Sequence, residues 1–258
     1  MSTLEVRNLG CRYGAREVLR AVSLSIQAGE VLAILGANGA GKTTLLHSLA
    51  RIRRPSQGTV TIDSQEIWRL KPGDVARQLA LMPQSERRDS SLSVTEAVRL
   101  GRAPHRGWFL PLTISDETMI EQALTAMSLT ELRDRPITEL SGGEWRRVIL
   151  ARAIVQQAEI LILDEPVSGM DLRFQIEVMK TIRSLASGNG MAAVLTLHDL
   201  NLAAIYADRI ALLAHGELMA LGIPAEIFTP EKIQAAFGIS VLVLQHPHFK
   251  TPLIVPSS

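Results

Sequence analysis

Gly36-Ala-Asn-Gly-Ala-Gly-Lys42-Thr43 places three glycines, an ammonium and a hydroxyl within eight residues. The spacing G-x-x-x-x-G-K-[ST] is that of a phosphate-binding loop. Glycines let the backbone curl until its N–H groups face phosphate oxygens. Lys42 adds a point charge at the β- and γ-phosphates, and the Thr43 hydroxyl is placed to ligate Mg2+. Downstream, Ile160-Leu-Ile-Leu-Asp164-Glu165 sets two carboxylates at the end of an apolar run. From there Asp164 can enter the Mg2+ shell, and Glu165 can orient or deprotonate water. A third stretch, TELSGGEWRRV (Thr138 to Val148), puts Ser141, Gly142 and Gly143 at the start of an amphipathic helix. Uncovered N–H groups at the positive end of a helix dipole make a second anion site.

These groups need elements to hold them. Val31 to Leu35 reads as a short buried strand ahead of the loop, and a helix follows Lys42 with Leu45, Leu46, Leu49 and Ile52 on one face. Val6 to Gly29 reads as short strands with a turn near Tyr13-Gly14, and Gly58 to Ile67 as further strand. From about Gln84 to Gln157 the character changes. A polar loop, SERRDSSLS, precedes helical stripes, one of Met119, Ile120, Ala123, Leu124 and Met127, another of Trp145, Val148 and Ile149. Strands resume at Ile160 to Leu163 and Ala192 to Leu197, each followed by helix, which implies a parallel sheet. The tail after Gly238 carries a strand-like VLVL and Pro247, Pro252 and Pro256, and reads as a small appended element.

The chain has 258 residues, enough for a sizeable core, and its 47% hydrophobic and 21% charged content argues against disorder. A net charge of +1 provides no field for nucleic acid or anionic lipid, so no nucleic-acid partner is expected. Cys11 is the single cysteine, which rules out an internal disulfide, fits a reducing compartment, and reads as inert packing. Glu5 and Arg7 stand where a signal peptide would be apolar, and no run approaches the ~18 residues of a membrane span. A cytosolic chain is expected, held at any membrane by a partner.

With these motifs in this order, nearly the whole chain resembles the ATP-binding cassette (ABC) ATPases. LSGGE (Leu140 to Glu144) is similar to the family's signature motif, set before ILILDE as the family sets it. The resemblance implies an α/β P-loop fold: a nucleotide-binding core with an antiparallel β subdomain (1–84 and 158–238), a helical subdomain (85–157) and a C-terminal extension (239–258). It implies ATP and Mg2+ as cofactors. Tyr13 would stack on adenine. Gly36, Asn38, Gly39, Ala40, Gly41, Lys42, Thr43 and Thr44 would cradle the phosphates. Thr43, Gln84 and Asp164 would hold the metal. Glu165, Lys42 and His198 would act in catalysis, with His198 reaching the γ-phosphate. Ser141, Gly142, Gly143, Glu144 and Asp171 would complete the site. In this family the signature loop faces the nucleotide of a second subunit, so a head-to-tail homodimer is implied. Departures are Ala37 for proline, Thr43 for serine, Gly169-Met170 for Ala-Leu, and Trp145, which is expected to pack or to touch a second subunit.

VRLGRAPHRGWF (Val98 to Phe109) and Leu197 to Leu218 resemble the ATPases of importers for iron–siderophore complexes, heme and cobalamin. That resemblance implies a motor on the cytoplasmic face of the inner membrane. Its helical subdomain would contact integral-membrane permease subunits, and a substrate-binding protein would act indirectly. Iron chelates are favoured as cargo. The alternatives are cobalamin or another metal-containing substrate, or a soluble ABC ATPase outside transport. The soluble type carries two cassettes or a long coiled coil, and this chain has one phosphate loop and no sustained heptads.

Overall fold

The computed structural model describes residues 3–88, 91–106 and 111–257. The chain opens with β1 (Leu4–Tyr13) and β2 (Arg16–Ile26), joined by a tight turn at Gly14-Ala15. β3 (Val31–Leu35) leads to α1 (Lys42–Leu49). β4 (Gln57–Ile62) and β5 (Gln65–Glu66) complete an antiparallel sheet of order β2-β1-β4-β5. α2 (Pro72–Gln78) precedes β6 (Leu79–Met82). Four helices follow among the described residues: α3 (Val94–Arg99), α4 (Ala103–Arg106), α5 (Ile114–Ala126) and α6 (Gly142–Val155). Strand and helix then alternate through β7 (Ile160–Leu163), α7 (Leu172–Asn189), β8 (Ala192–Thr196), α8 (Leu200–Tyr206) and β9 (Arg209–Ala214). β10 (Glu217–Gly222), α9 (Pro224–Ile227), α10 (Pro230–Phe237) and the hairpin β11 (Val241–Gln245) with β12 (Pro252–Pro256) finish the described chain.

The second sheet runs β10-β9-β3-β8-β7-β6, parallel except at β10. Side chains alternate across a strand, and both faces of this sheet are covered. Ile34, Ile160, Ile162 and Val194 face a core built with α1 and the antiparallel sheet. Ala33, Leu35, Leu161, Leu163 and Leu195 face the other core, with residues of α3, α5, α6, α7 and α8. Such two-sided burial explains why VLAIL, ILIL and AAVLT read as continuous apolar runs. Each fully buried Leu or Ile contributes about 1.5–3 kcal/mol, so the strand ends that carry the polar motifs are firmly placed.

Several expectations need adjustment. β1 and β2 are long strands rather than short ones, because one sheet edge pairs them along most of their length. Ile52 does not share the α1 face. The helix stops at Leu49, Arg51 takes a left-handed backbone with φ of 58°, and Ile52 is 58% exposed. Cys11 is buried, with its Sγ 3.2 Å from Ser48 Oγ. The tail folds as the β11–β12 hairpin and is stitched to α8: Asn201 Nδ2 donates to Ile254 O at 3.2 Å, and Ile254 N donates to Asn201 Oδ1 at 2.8 Å. Of VRLGRAPHRGWF, positions 107–109 lie outside the described residues, as do positions 89–90 of the polar loop.

A buried carboxylate on α5 gathers the arginines around α4. Asp116, 1% exposed, accepts from Arg102 Nε at 2.8 Å and Arg106 Nε at 2.7 Å. It also accepts from Thr113, by backbone N–H at 2.8 Å and hydroxyl at 2.6 Å. Arg102 reaches on to Val155 O at 2.8 Å, the last residue of α6. Burial works to raise the Asp116 pKa, but the Thr113 and arginine hydrogen bonds outweigh it and hold the carboxyl well below the usual carboxylate range. A depressed pKa contributes stability that is fully present above the unfolded value of about 3.9 and is lost as pH falls through the folded one. Asp116→Ala leaves Arg102 buried and unpaired. It is expected to lower unfolding free energy by about 3–5 kcal/mol at neutral pH in urea titrations, a loss that shrinks below about pH 4.

Candidate nucleotide site

The phosphate loop leaves β3 at Leu35 and enters α1 at Lys42. Two of its glycines are sterically required. A Cβ at Gly36 would lie 2.2 Å from Leu213 O on β9, and one at Gly41, where φ is +102°, would lie 2.5 Å from the Leu19 side chain. Lys42 folds its ammonium back over the loop, donating to Gly36 O at 2.7 Å and Ala37 O at 3.1 Å. Burial lowers its pKa, while Glu165 and Asp164 pull it back up. A cavity of about 560 Å3 brings Tyr13, Asn38, Gly39, Gly41, Lys42, Thr43, Thr44, Gln84 and Glu165 together. Ala40 is buried within the loop. Tyr13 also carries the Arg53 guanidinium, 3.4 Å from its ring centroid, a contact with no local sequence signal.

The carboxylates arrive from β7, and their arrangement depends on its neighbour β8. Leu163 pairs with Leu195, so the next residues, Asp164 and Thr196, finish side by side. Thr196 Oγ1 donates to Asp164 Oδ1 at 2.7 Å and accepts the Glu165 N–H at 2.8 Å. Asp164 is 1% exposed, and its Oδ2 has no hydrogen-bond partner among the described residues. Glu165 takes a left-handed backbone, φ 53°, which is costly for a residue with a side chain. Arg146 Nη1 anchors its carbonyl at 2.9 Å. Its Oε1 stands 2.6 Å from His198 Nε2; the carboxylate can only accept, so the ring N–H donates. The histidine that the family resemblance aims at a γ-phosphate is therefore engaged by Glu165 in this structure. Thr196, Arg146 and Arg16, the last lining the cavity, were not singled out by sequence. The one available signal was a polar residue closing the apolar run AAVLT.

The signature residues form a separate cavity of about 340 Å3, lined by Ser141, Gly142, Gly143, Glu144, Arg147, Gly169, Met170, Asp171 and Phe174. Ser141 caps α6: its hydroxyl accepts Glu144 N–H at 3.3 Å, and Glu144 Oε2 accepts Ser141 N–H at 2.7 Å. The anion site read from sequence is narrower than expected, because this reciprocal capping box occupies the Ser141 N–H. Gly142 and Gly143, as the first residues of the helix, lack intrahelical acceptors. Ser141 also holds the Glu144 pKa down, first through its backbone N–H and then through its hydroxyl. Asp171 caps α7, accepting Phe174 N–H at 3.0 Å, and stands with the signature loop, not the phosphate loop. Trp145 is a packing residue, 4% exposed, whose Nε1 donates to Glu86 O at 3.2 Å. Arg152 pairs with the Glu86 carboxylate, Nη1 to Oε1 at 2.8 Å. The stretch following Gln84 is thus tied to the signature helix.

A glycine loop closed over a lysine, beside a buried aspartate at the end of a parallel strand, defines a P-loop nucleoside triphosphatase. The family model described as ABC transporter matches residues 19–168. The hemin import ATP-binding protein HmuV of Thermobifida fusca (strain YX) is 40% identical over 98% of this chain and 88% of its own length. The achromobactin transport ATP-binding protein CbrD of Dickeya dadantii (strain 3937) is 35% identical over 99% and 95%. A solved inward-facing metal-chelate type ABC transporter superposes with a TM-score of 0.84 at 30% identity, covering 100% of this chain and 98% of that one. The chain belongs to the ABC transporter family, as one of its ATP-binding, ATP-hydrolysing subunits.

Lys42 sits in a cage of loop carbonyls that suits a compact ammonium and not a planar fork. Lys42→Ala is expected to cut ATP turnover by about 100-fold or more, and Lys42→Arg is expected not to restore it. Phosphate release with circular dichroism as a folding control measures this. Turnover like wild type in either variant contradicts the assignment.

Proposed function

We propose that this chain is the ATP-hydrolysing motor of a bacterial-type importer for iron chelates, heme or siderophore, and that it works as a head-to-tail pair of identical chains. The observation that carries the pairing is the division of phosphate-directed groups. Lys42, Thr43 and Glu165 line one cavity; Ser141, Gly142 and Gly143 line another. A single chain therefore has half of two sites. A two-fold pair joins each phosphate loop to its partner's signature loop and completes both. The import reading rests on the relatives, whose names specify hemin and achromobactin transport.

Mg2+ fits the site. The unpartnered, buried Asp164 Oδ2 suits a cation, and Thr43, Gln84 and Glu165, the residue next to Asp164, line the nucleotide cavity. Bound there, the ion would neutralise charge between the β- and γ-phosphates. Lys42 would release its loop carbonyls to bind phosphate oxygens. Tyr13 would stack on the adenine. Glu165 would orient the attacking water or take its proton, and His198, now on Glu165, would meet the γ-phosphate. No helix among the described residues is long and apolar enough to cross a membrane. In this reading, permease subunits hold the motor at the cytoplasmic face of the inner membrane through the helical segment 85–157. A substrate-binding protein acts only indirectly.

Complementation tests the shared site. Ser141→Arg and Lys42→Ala chains should each be inactive alone. Mixed, they form pairs in which one site carries both lesions and the other neither, so phosphate release should recover in part. A nucleotide-bound structure showing Ser141 against its own chain's phosphate loop overturns the pairing.

Glu165→Gln keeps size and removes basicity, while Lys42, Thr43 and Asp164 stay to bind ATP and metal. Hydrolysis should fall ~100- to 10,000-fold, the usual contribution of a general base. The ATP-bound pair should then accumulate on size-exclusion chromatography. A monomeric variant that hydrolyses ATP at the wild-type rate removes Glu165 from the chemistry.

A further inference from the structure

We propose that Thr196 is a positioning residue for hydrolysis, setting both carboxylates of the site through one buried hydroxyl. The inference rests on the nucleotide-site reading above and adds a residue to it. Thr196 ends β8 and is fully buried. A hydroxyl offers one donor and two acceptor positions. Here it donates to Asp164 Oδ1 at 2.7 Å and accepts the Glu165 N–H at 2.8 Å. The donation fixes which Asp164 oxygen is occupied by protein, so Oδ2 remains as the open one. The acceptance satisfies the amide of a residue held at φ 53°, whose carbonyl Arg146 secures from the other side. One side chain thus fixes the rotation of the metal-directed carboxylate and the turn that aims Glu165 into the cavity.

The position follows from the sheet. β8 lies between β3, which carries the phosphate loop, and β7, which carries the carboxylates. Thr196 is the last residue of β8 in register with β3, opposite Ile34. The preceding pair, Leu163 with Leu195, sets it beside Asp164. Ile160, Ile162, Ala192 and Val194 point to the α1 side, and alternation carries Asp164 and Thr196 to that same side, where Lys42 begins its helix. Valine would match the shape and hydrophobicity of the site; what it lacks is the hydroxyl. Threonine is thus explained by the two hydrogen bonds and not by packing.

The test compares wild type, Thr196→Val, Thr196→Ala and Thr196→Ser. Each is measured by binding of a fluorescent ATP analogue with and without Mg2+, by Mg2+ titration, and by phosphate release, with thermal unfolding alongside. Thr196→Val is expected to bind the analogue without Mg2+ within about twofold of wild type. Its half-saturating Mg2+ should rise by about 10- to 100-fold, with a comparable fall in kcat, the usual effect of losing a group that orients a metal ligand. Thr196→Ser, which keeps the hydroxyl, should stay within about threefold of wild type. Thr196→Ala removes the hydroxyl without adding an apolar branch, so it carries the test if the valine variant fails to fold. A folded hydroxyl-free variant with wild-type Mg2+ demand and turnover overturns the proposal. So does a folded serine variant as impaired as alanine, since side-chain volume would then be the determinant. If wild type itself binds the analogue no better than Lys42→Ala, the nucleotide-site reading has failed rather than the role of Thr196.

Discussion

β3, β8 and β7 lie side by side and run parallel, with both faces buried, so their carboxyl ends finish along one edge. Everything at the site depends on that constraint. The phosphate loop leaves β3, the carboxylates leave β7, and β8 between them delivers Thr196 and, two residues on, His198. Alternation sends Asp164 and Thr196 toward the face on which α1 packs, which is where Lys42 and Thr43 start. Polar residues placed one position earlier or later would face the opposite core. The apolar runs ahead of each motif therefore act as rulers.

Burial of charge separates scaffold from site. Asp116 is enclosed by two arginines and two Thr113 donors, so both of its oxygens are occupied and its charge is compensated. Asp164 is equally buried, yet one oxygen has no partner among the described residues. An uncompensated buried oxygen costs free energy, and this one sits one residue before Glu165, which lines the nucleotide cavity. Lys42 lies between these cases, satisfied by carbonyls of its own loop in a way that phosphate oxygens can replace.

The same capping chemistry recurs at α3, α5 and α6, where Ser93, Thr113 and Ser141 each form a reciprocal box with the acidic residue three positions on. At α6 the box occupies the Ser141 N–H and leaves the N–H groups of the two glycines without intrahelical acceptors. Glu86 links that helix to the stretch after Gln84, through its carbonyl to Trp145 and its carboxylate to Arg152. Gln84 lines the phosphate cavity. Gln84 at that cavity and Glu86, bonded to α6, are thus two residues apart in the chain.

What the sequence by itself determined was whatever a short window encodes: the glycine loop and its lysine, the apolar strands ahead of the motifs, the carboxylates after ILIL, the parallel sheet implied by alternating strand and helix. Each is a local pattern with a local physical cause. What tertiary structure decided were lateral neighbours. Thr196 reads as the end of one more apolar strand until β8 is set beside β7. The Arg53 guanidinium on Tyr13 joins the α1–β4 connection to the end of β1. Asp171 and Ser141, distant in sequence, share a cavity, while Asp171 and Lys42 line different ones. Ile52 follows the helical period on paper, but the helix has already ended at Leu49 and the turn sends it to solvent. Strand register and turn geometry couple residues far apart in the chain, and no window of sequence contains both partners of such a contact.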